Sequence, residues 1–431
     1  MSIVILHKKN LSRRRLLAKA RQYADQHGER LLLIMADPTW EPMYFDRTAT
    51  ADTTSIADAT RALKQLAVDE REPIRGIITL SEFCVPIVAA LAAEFGLPGL
   101  GQDTAYAARD KLRMRRAFAK SGDVPQPRFE LAHTAAGARR IAQEFGYPAI
   151  IKPIIGCHSM FVHKVSTEAD VDQVFDEAQR GAWDGFAFDP LHAELRDQYA
   201  GGVLVEQFVP GPEISVESLV IDGVTHSLAI HDKPLPQGST FEEIYASTPT
   251  RLPADTVTEV LAATARVHAA LGIDTGATHV EFRLRDGREP VVLEAGARMG
   301  GGPIYRSVLL STGVDMLEAV LDLATGRRPQ IAPHGAPVPI GFRNIFPEQG
   351  GRVVGVVGVD EANGQQHVHE VEVFRKVGEF ADVPPNTYEG HGHVIFTAPT
   401  LDELDRRFAE LTRTLRIETD GRRPAEAAGH A

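Results

Sequence analysis

One predicted hairpin limits the folds open to this chain more than any other segment. The sequence VEFRLRDGREPVVLEAGAR runs from Val280 to Arg298 and contains Asp286-Gly287, a dipeptide typical of tight hairpin turns. Its first arm alternates in polarity, and its second arm is an apolar run that ends at Glu294. These arms predict two antiparallel strands, which puts Glu281 and Glu294 close to opposite each other on one face.

The residues at the end of this hairpin indicate an ion-binding site. Two carboxylates that converge inside a fold are unfavourable unless a hard cation lies between them, and oxygen-only ligands favour magnesium or manganese over zinc. Arg298 carries a planar guanidinium suited to a carboxylate or a phosphoryl oxygen. The glycines at 300–302 let backbone amides approach an anion closely. The alternatives are two separate surface glutamates and a flexible glycine turn.

Two lysines and one strand exit extend this pattern. Lys152 ends the apolar strand AIIKP, where a charged group needs an anionic partner. Lys111 lies on a helix rich in positive charge and, taken alone, favours a solvated face. In VEQFVPGPE a strand leads through Glu206 to a Pro-Gly-Pro break and then to Glu213. Free backbone groups at such an exit suit the edge of a purine, and a carboxylate suits ribose hydroxyls; a plain connecting turn is the alternative.

The first hundred residues alternate apolar runs with helical periodicity, which predicts a small α/β layer with a parallel sheet. The expected strands are Ile3–Leu6, Leu31–Met35 and Gly76–Leu80. Ligands of such sheets bind at the carboxyl ends of the strands, so the loop that carries Glu82 should face a ligand crevice.

Composition excludes several classes of partner. A formal net charge of -12 argues against nucleic acid or an anionic membrane as a partner of the whole surface. The two cysteines, Cys84 and Cys157, lie far apart, which favours a reduced, cytosolic setting. The N-terminus lacks the pattern of a secretory signal, and no apolar run reaches the roughly 20 residues that a spanning helix needs. We therefore expect a cytoplasmic protein.

The order of these motifs resembles the ATP-grasp superfamily. The resemblance is carried, in chain order, by Lys111, IIKPIIGCHS, VEQFVPGPE, HVEFR, VLEAGAR and GGG. The later segment LLSTGVDMLEAVLDLATG resembles carboxylate–amine ligases, especially the L-amino acid ligases. The resemblance covers most of the chain, from Gly76 to His393.

The resemblance implies an ATP-grasp fold of α/β and α+β type. Residues 1–110 would form an N-terminal pre-ATP-grasp α/β domain, and residues 111–330 the ATP-grasp domain. Residues 331–416 would form a mostly antiparallel C-terminal lobe, and residues 417–431 a flexible tail.

The resemblance also implies roles for individual residues. Those expected to contact ATP are Lys111, Lys152, Ser159, Glu206, Gln207, Phe208, Val209 and Glu213, with Gly156 to Ser159 covering the phosphates and Glu206 to Val209 lining the adenine. Glu281 and Glu294 would hold magnesium ions, or manganese in their place. Those expected to act on substrates are Arg298 with the amides of Gly300 and Gly301, which would steady the acyl phosphate, and Glu82 and Glu243, which would face the substrates.

Three departures from the family pattern concern the substrates and the second metal ion. Many relatives have a carboxamide where this chain has Gly296, and the phosphate loop GCHSMF is poor in glycine. L-amino acid ligases often carry a histidine where this chain has Ala246, which indicates a different pocket for the amine or the acid. His231 or His279 could compensate, and the alternative is that both histidines are structural.

The implied activity is an ATP-dependent ligase that activates a carboxylate as an acyl phosphate and joins it to an amine. Small-molecule acids and amines would be its substrates, and ADP and phosphate would be released. The oligomeric state stays open, with a homodimer as one alternative because relatives are often dimers. The alternatives are a bicarbonate-using carboxylase of the biotin carboxylase or purine type, and a non-catalytic nucleotide-binding protein.

Overall fold

The computed structural model describes residues 1–234, 241–384, 386–387 and 389–422. Its N-terminal layer is a parallel sheet with strand order β3-β2-β1-β4. The elements are β1 (Ser2–Leu6), α1 (Arg14–His27), β2 (Arg30–Met35), β3 (Arg47–Thr50), α2 (Ile56–Asp69), β4 (Ile74–Thr79) and α3 (Val85–Phe95).

The three predicted strands of this layer are confirmed, because their apolar side chains are buried between helices. β1 and β2 are buried along nearly their whole length, as expected for a parallel sheet covered on both faces. Helix α3 ends at Gly96 in the left-handed conformation, with φ 62°. The short edge strand β3, with sequence RTAT, was missed because it is too polar and exposed to give an apolar run.

The next segment forms a four-stranded antiparallel sheet with order β5-β8-β6-β7. The apolar strand predicted to end at Lys152 is confirmed as β6, and it pairs with β7, where Ile151 lies opposite His163. The elements are α4 (Gln102–Ala107), α5 (Lys111–Ser121), β5 (Phe129–Ala132), α6 (Ala135–Phe145), β6 (Ala149–Lys152), β7 (His163–Val165), α7 (Glu168–Trp183), α8 (His192–Gln198) and β8 (Val203–Gln207).

The Pro-Gly-Pro break carries the chain from β8 into a second, larger sheet. Gly211 in this break has φ 110°, and a Cβ there would lie 2.0 Å from the carbonyl oxygen of Leu284, so only glycine fits. The elements that follow are β9 (Glu213–Ile221), β10 (Val224–Lys233), β11 (Tyr245–Thr248), α9 (Ala254–Leu271), β12 (Gly276–Arg285), β13 (Glu289–Gly296), α10 (Ile304–Thr312) and α11 (Met316–Ala324).

The C-terminal segment continues this larger sheet. Its elements are β14 (Ile340–Asn344), β15 (Gly351–Val357), α12 (Val359–Asn363), β16 (Val368–Val373), β17 (Phe380–Ala381), β18 (Gly392–Thr397), α13 (Leu401–Thr414) and β19 (Arg416–Thr419). Three of its strands complete an eight-stranded sheet with order β13-β12-β9-β10-β11-β14-β18-β16, and β15 pairs with β17 and β19.

Two predictions about this segment have definite outcomes. The predicted antiparallel pairing is confirmed by β14, β18 and β16. The predicted tail starts too early, because residues 416–419 form β19, where Ile417 is buried against Val356. Residues 423–431 of that tail lie outside the described residues. None of the helices described is long and apolar enough to cross a membrane.

Candidate active site

A cavity of about 510 Å³ lies where the N-terminal parallel sheet, the four-stranded sheet and the eight-stranded sheet meet. The loops after β1 and β4, the β6–β7 loop, the end of β8 and the ends of β12 and β13 all contribute to its wall. Every predicted site residue except Gly300 lines it, namely Glu82, Lys111, Lys152, Ser159, Glu206, Gln207, Phe208, Val209, Glu213, Glu243, Glu281, Glu294, Arg298 and Gly301.

Gly300 lies behind the cavity wall and not on it. A Cβ at this position would lie 2.5 Å from Cγ2 of Ile304 and 2.8 Å from Oε2 of Glu217. Gly301 has open space around it and lines the cavity. Of the two glycines, Gly300 is therefore required for packing and Gly301 exposes its backbone to a ligand.

The hairpin β12–β13 carries the two predicted metal ligands in the expected register. Glu281 pairs directly with Glu294 across the strands, next to a bulge after Glu281. Each of the two carboxylates accepts a hydrogen bond from its own lysine. Lys233 Nζ donates to Glu281 Oε1 at 2.6 Å, and Lys111 Nζ donates to Glu294 Oε1 at 2.8 Å. The geometric prediction for these two glutamates is confirmed.

Lys233 is the centre of a carboxylate cluster that the sequence did not reveal. Its ammonium lies 2.6 Å from Glu281, 3.1 Å from Glu243 and 3.4 Å from Glu213. Burial alone would lower the pKa of Lys233, but the three carboxylates outweigh burial and raise it well above its usual value. Lys233 precedes Pro234 at the end of a strand, the same signal that identified Lys152 in AIIKP.

The two histidines considered as substitutes for the family histidine have different surroundings. His279 Nδ1 lies 2.5 Å from Glu217 Oε1, and although burial opposes protonation, Glu217 outweighs it and raises the pKa of His279 to about 10. His231 bonds Ser307 at 2.6 Å, and burial lowers its pKa to about 4. His279 lines the cavity as a cation, whereas His231 is a neutral residue of the core.

The carboxylate of Glu206 is fully engaged by cations. Arg115 Nε donates to Glu206 Oε1 at 2.6 Å, and Lys152 Nζ lies 2.8 Å from Oε2. Burial opposes ionisation, but Arg115 and Lys152 outweigh it and lower the pKa of Glu206 to about 2. The anionic partner predicted for Lys152 is thus Glu206. Arg115 was missed, although it lies four residues after Lys111 on the same helix face.

The predicted purine-binding segment is held by Arg283. Its Nη1 donates to the carbonyl oxygen of Val209 at 3.1 Å, and its Nε donates to Glu213 Oε2 at 3.3 Å. The same guanidinium lies 5.0 Å from the ring centre of Phe208. One buried arginine therefore fixes the strand exit that the sequence assigned to adenine and ribose.

Glu82 and Arg298 form a second network of the cavity, next to Gly296 at the end of β13. Arg298 Nε contacts Glu82 Oε2, and Arg109 Nη1 donates to Glu82 Oε1 at 3.1 Å. Arg109 also donates to Asp189 at 2.5 Å. Burial opposes ionisation, yet Arg298 and Arg109 lower the pKa of Glu82 to about 2. Glu82 thus orients Arg298, and Arg109 is a buried member of the network that the sequence did not indicate.

The loop between β6 and β7 covers the cavity from the side of the small sheet. His158, Ser159 and Phe161 have positive φ angles of 55°, 55° and 59°. Cys157 Sγ lies 3.0 Å from His158 Nδ1. Lys111 Nζ lies 3.4 Å from the carbonyl oxygen of Gly156, so this loop is tied to the first lysine of the site.

Comparison with known proteins agrees with this geometry. Residues 145–305 match the ATP-grasp domain family, and residues 343–420 match L-amino acid ligase C-terminal domain 2. The crystal structure of an L-amino acid ligase from Bacillus licheniformis superposes with a TM-score of 0.81 at 24% identity, covering 97% of this chain and 99% of that one.

Two curated relatives show how far the likeness extends. An alanine–anticapsin ligase of Bacillus subtilis (strain 168) is 29% identical over 255 residues, which is 57% of this chain and 53% of that protein. An L-arginine-specific L-amino acid ligase of Bacillus subtilis is 20% identical over 345 residues, 79% of each chain. The match spans about half the length of the alanine–anticapsin ligases. The chain therefore carries an ATP-grasp domain over residues 145–305, followed by an L-amino acid ligase C-terminal domain over residues 343–420.

Proposed function

We propose that this chain is an ATP-dependent ligase that activates a carboxylic acid as an acyl phosphate and joins it to an amine, releasing ADP and phosphate. One observation carries the proposal: Glu281 and Glu294 oppose each other on a hairpin that ends in Arg298, inside one cavity with Lys111 and Lys152. The names of the matched relatives, both amino acid ligases, support the same reaction class.

The donor set on the hairpin fits a divalent cation. Glu281 and Glu294 offer only oxygen, the preference of magnesium and manganese. Burial opposes ionisation of Glu281, but Lys233 and His279 outweigh it and hold the pKa of Glu281 well below its usual range, so this carboxylate is ready to act as a ligand. Magnesium bound here would neutralise charge on the nucleotide phosphates.

We assign the nucleotide to the part of the cavity between the four-stranded sheet, which carries Lys152 and Glu206, and the eight-stranded sheet, which carries Glu281 and Glu294. Lys111 and Lys152 supply the positive charge that phosphates require. Since the Glu206 side chain is engaged by Arg115 and Lys152, Glu206 itself can contact a purine only through its backbone. Glu213, fixed by Arg283, is the carboxylate nearest that segment in sequence and suits the ribose hydroxyls.

The chemistry expected beside Arg298 follows from the charge of its guanidinium. A carboxylate is a poor electrophile because oxide would have to leave. Attack of the acid's oxygen on the γ-phosphorus of ATP releases ADP and makes phosphate the leaving group. A neutral amine then attacks the acyl carbon, forming the C–N bond and releasing phosphate. Arg298, oriented by Glu82, would stabilise the negative charge that develops on oxygen.

The amine must lose a proton before or during its attack. Glu82 is a weak base, because two arginines lower its pKa to about 2. Glu243 contacts only Lys233 among the charged groups described, at 3.1 Å. Of the two carboxylates predicted to face the substrates, we therefore propose Glu243 for the proton.

A phosphate-release screen tests the function. The protein, ATP and magnesium are incubated with pairs of amino acids, and products are identified by mass spectrometry. Phosphate release that requires both an acid and an amine, with a condensed product of the expected mass, supports the ligase. Release that requires bicarbonate supports a carboxylase instead, and nucleotide binding with no release on any pair supports a non-catalytic binder. Each of the last two outcomes rejects the proposal.

A further inference from the structure

The loop after β1 brings a second arginine into the cavity. Five residues of this loop line the cavity: Lys8, Lys9, Asn10, Ser12 and Arg13. β1 is the neighbour of β4 in the parallel sheet, so this loop and the loop that carries Glu82 emerge at the same edge. The N-terminal layer therefore contributes to the end of the cavity where Arg298 lies.

Arg13 differs from the other lysines and arginines of the cavity in having no partner for its guanidinium. Within residues 1–234, 241–384, 386–387 and 389–422, no carboxylate oxygen lies within 4.0 Å of it and no acceptor takes its hydrogen bonds. The others are engaged: Lys111 by Glu294, Lys152 by Glu206, Lys233 by Glu281, Arg283 by Glu213, Arg298 by Glu82, Lys8 by the ring of Phe188 and Lys9 by the carbonyl oxygen of Asp37.

The surroundings of Arg13 favour an anion. The side chain is half-buried, and burial followed by the charge of Arg298 lowers the pKa of Arg13 to about 10, so it stays protonated at neutral pH. Glu389, the acidic residue of the neighbouring loop, instead accepts a hydrogen bond from Asn10 at 3.4 Å. Glu82 is in contact with Arg298 and with Arg109, so among the described residues it does not serve as the hydrogen-bond partner of Arg13.

We propose that Arg13 binds the carboxylate of the amine substrate and so selects amines that carry one. This inference rests on the proposed function. Arg298 stands beside the hairpin and the nucleotide lysines, which assigns it to the acid being activated. Arg13 lies near Arg298 but comes from the loop after β1 and not from the hairpin, so we assign it to the second substrate, the attacking amine. A guanidinium fork matches a carboxylate in two parallel hydrogen bonds, which an uncharged carboxamide cannot reproduce.

The test compares an amino acid with its own carboxamide as the amine, at saturating ATP and acid. Arg13→Gln should raise the KM for the amino acid by about tenfold to a hundredfold, as expected for the loss of hydrogen bonds to a charged group. Its KM for the carboxamide and its kcat should stay unchanged, and Arg13→Lys should be intermediate. The matched control is Arg14→Gln: Arg14 is exposed, does not line the cavity and donates to the Tyr44 hydroxyl at 3.3 Å.

Several outcomes overturn the inference. An equal rise in KM for the amino acid and the carboxamide, or a rise in the KM for ATP or for the acid alone, assigns Arg13 to another role. A second arm needs no turnover: thermal stabilisation by free amino acids and by their carboxamides is measured with a non-hydrolysable ATP analogue and magnesium present. Stabilisation by amino acids only, lost in Arg13→Gln, supports the inference even if no ligation is detected. Stabilisation that survives this substitution overturns it.

Discussion

Lys233 is one cation contacted by three carboxylates, whereas Glu82 is one carboxylate contacted by two arginines. The central group of each cluster, Lys233 or Glu82, is buried, and its partners shift its pKa in the direction that favours the charged form. They differ in the charge that is left over. The Lys233 cluster, the acidic end, has more carboxylates than cations. At the Glu82 cluster, the basic end, Asp189 balances Arg109 and Glu82 balances Arg298, so the neighbouring Arg13 supplies the surplus positive charge. A cation completes the first cluster and an anion completes the second.

This difference indicates that the acidic end and the basic end of the cavity favour ligands of opposite charge even before a ligand binds. Surplus charge is unfavourable in a buried site, so each end loses stability until its ligand binds. Under the proposed function, the surplus carboxylates would hold a metal ion and the surplus arginine would hold a negatively charged substrate. Each prediction below asks whether the two ends are as different as their contacts indicate.

The largest effect is expected at the acidic end. Glu294→Gln removes one charge and one metal ligand with almost no change of shape, and should lower phosphate release by at least about 10³-fold. Binding of ADP, measured by calorimetry, should persist because the purine segment is untouched. The control is Glu289→Gln, an exposed residue of the same strand. Near-normal ADP formation by Glu294→Gln would mean that the carboxylates do not serve a metal.

The second prediction concerns stability. Lys233→Met leaves Glu213, Glu243 and Glu281 without their shared ammonium, and should lower the free energy of unfolding by about 3–5 kcal/mol. Magnesium should restore part of this loss in urea unfolding, because a divalent cation takes the place of the missing charge. Lys64→Met, which breaks only an exposed pair with Glu94, should cost about 0–1 kcal/mol. A variant as stable as its control would show that the acidic end has no surplus charge.

The third prediction addresses the basic end. Arg298→Lys keeps the charge but replaces the guanidinium fork by a point charge, and should lower kcat on the order of tenfold to a hundredfold. Arg285→Lys, on the exposed turn of the hairpin, is the control and should leave kcat unaltered. Steady-state phosphate release measures both. Normal kcat in Arg298→Lys would show that charge alone suffices there.

The sequence predicted the acidic end better than the basic end, for a physical reason. The opposition of Glu281 and Glu294 follows from one tight turn and the two-residue period of a strand, both local properties. Lys152 was identified because a charge at the end of an apolar strand requires a partner. Arg109 pairs with Asp189, which is 80 residues away along the chain, so no local pattern contains that contact.

The same limit applies to lobes and side-chain roles. A mostly antiparallel C-terminal lobe was predicted correctly, but its strands β14, β18 and β16 continue the central sheet, a pairing that depends on how distant segments meet. The motif VEQFVPGPE located a strand exit in the cavity wall. It could not show that the Glu206 carboxylate is engaged by Arg115, which depends on how helix α5 packs.

The smallest effect, and the one that separates the two ends most directly, is their response to pH. His279 at the acidic end has its pKa raised from 6.5 to about 10, so its contribution to stability is complete below about pH 6.5 and is lost as pH rises towards 10. Glu82 at the basic end has its pKa lowered from 4.5 to about 2, so its contribution is complete above about pH 4.5 and is lost as pH falls towards 2.

Chemical denaturation of the wild type, His279→Gln and Glu82→Gln at a series of pH values measures both contributions. The stability difference between wild type and His279→Gln should shrink above pH 6.5, and that between wild type and Glu82→Gln should shrink below pH 4.5, each by at most about 1.4 kcal/mol per pH unit. If both stability differences shrank at acidic pH, or both at alkaline pH, the two clusters would not differ in the sign of their surplus charge. Opposite sides are expected, because a protonated imidazole is stabilised by surplus carboxylates and an ionised carboxylate by surplus arginines.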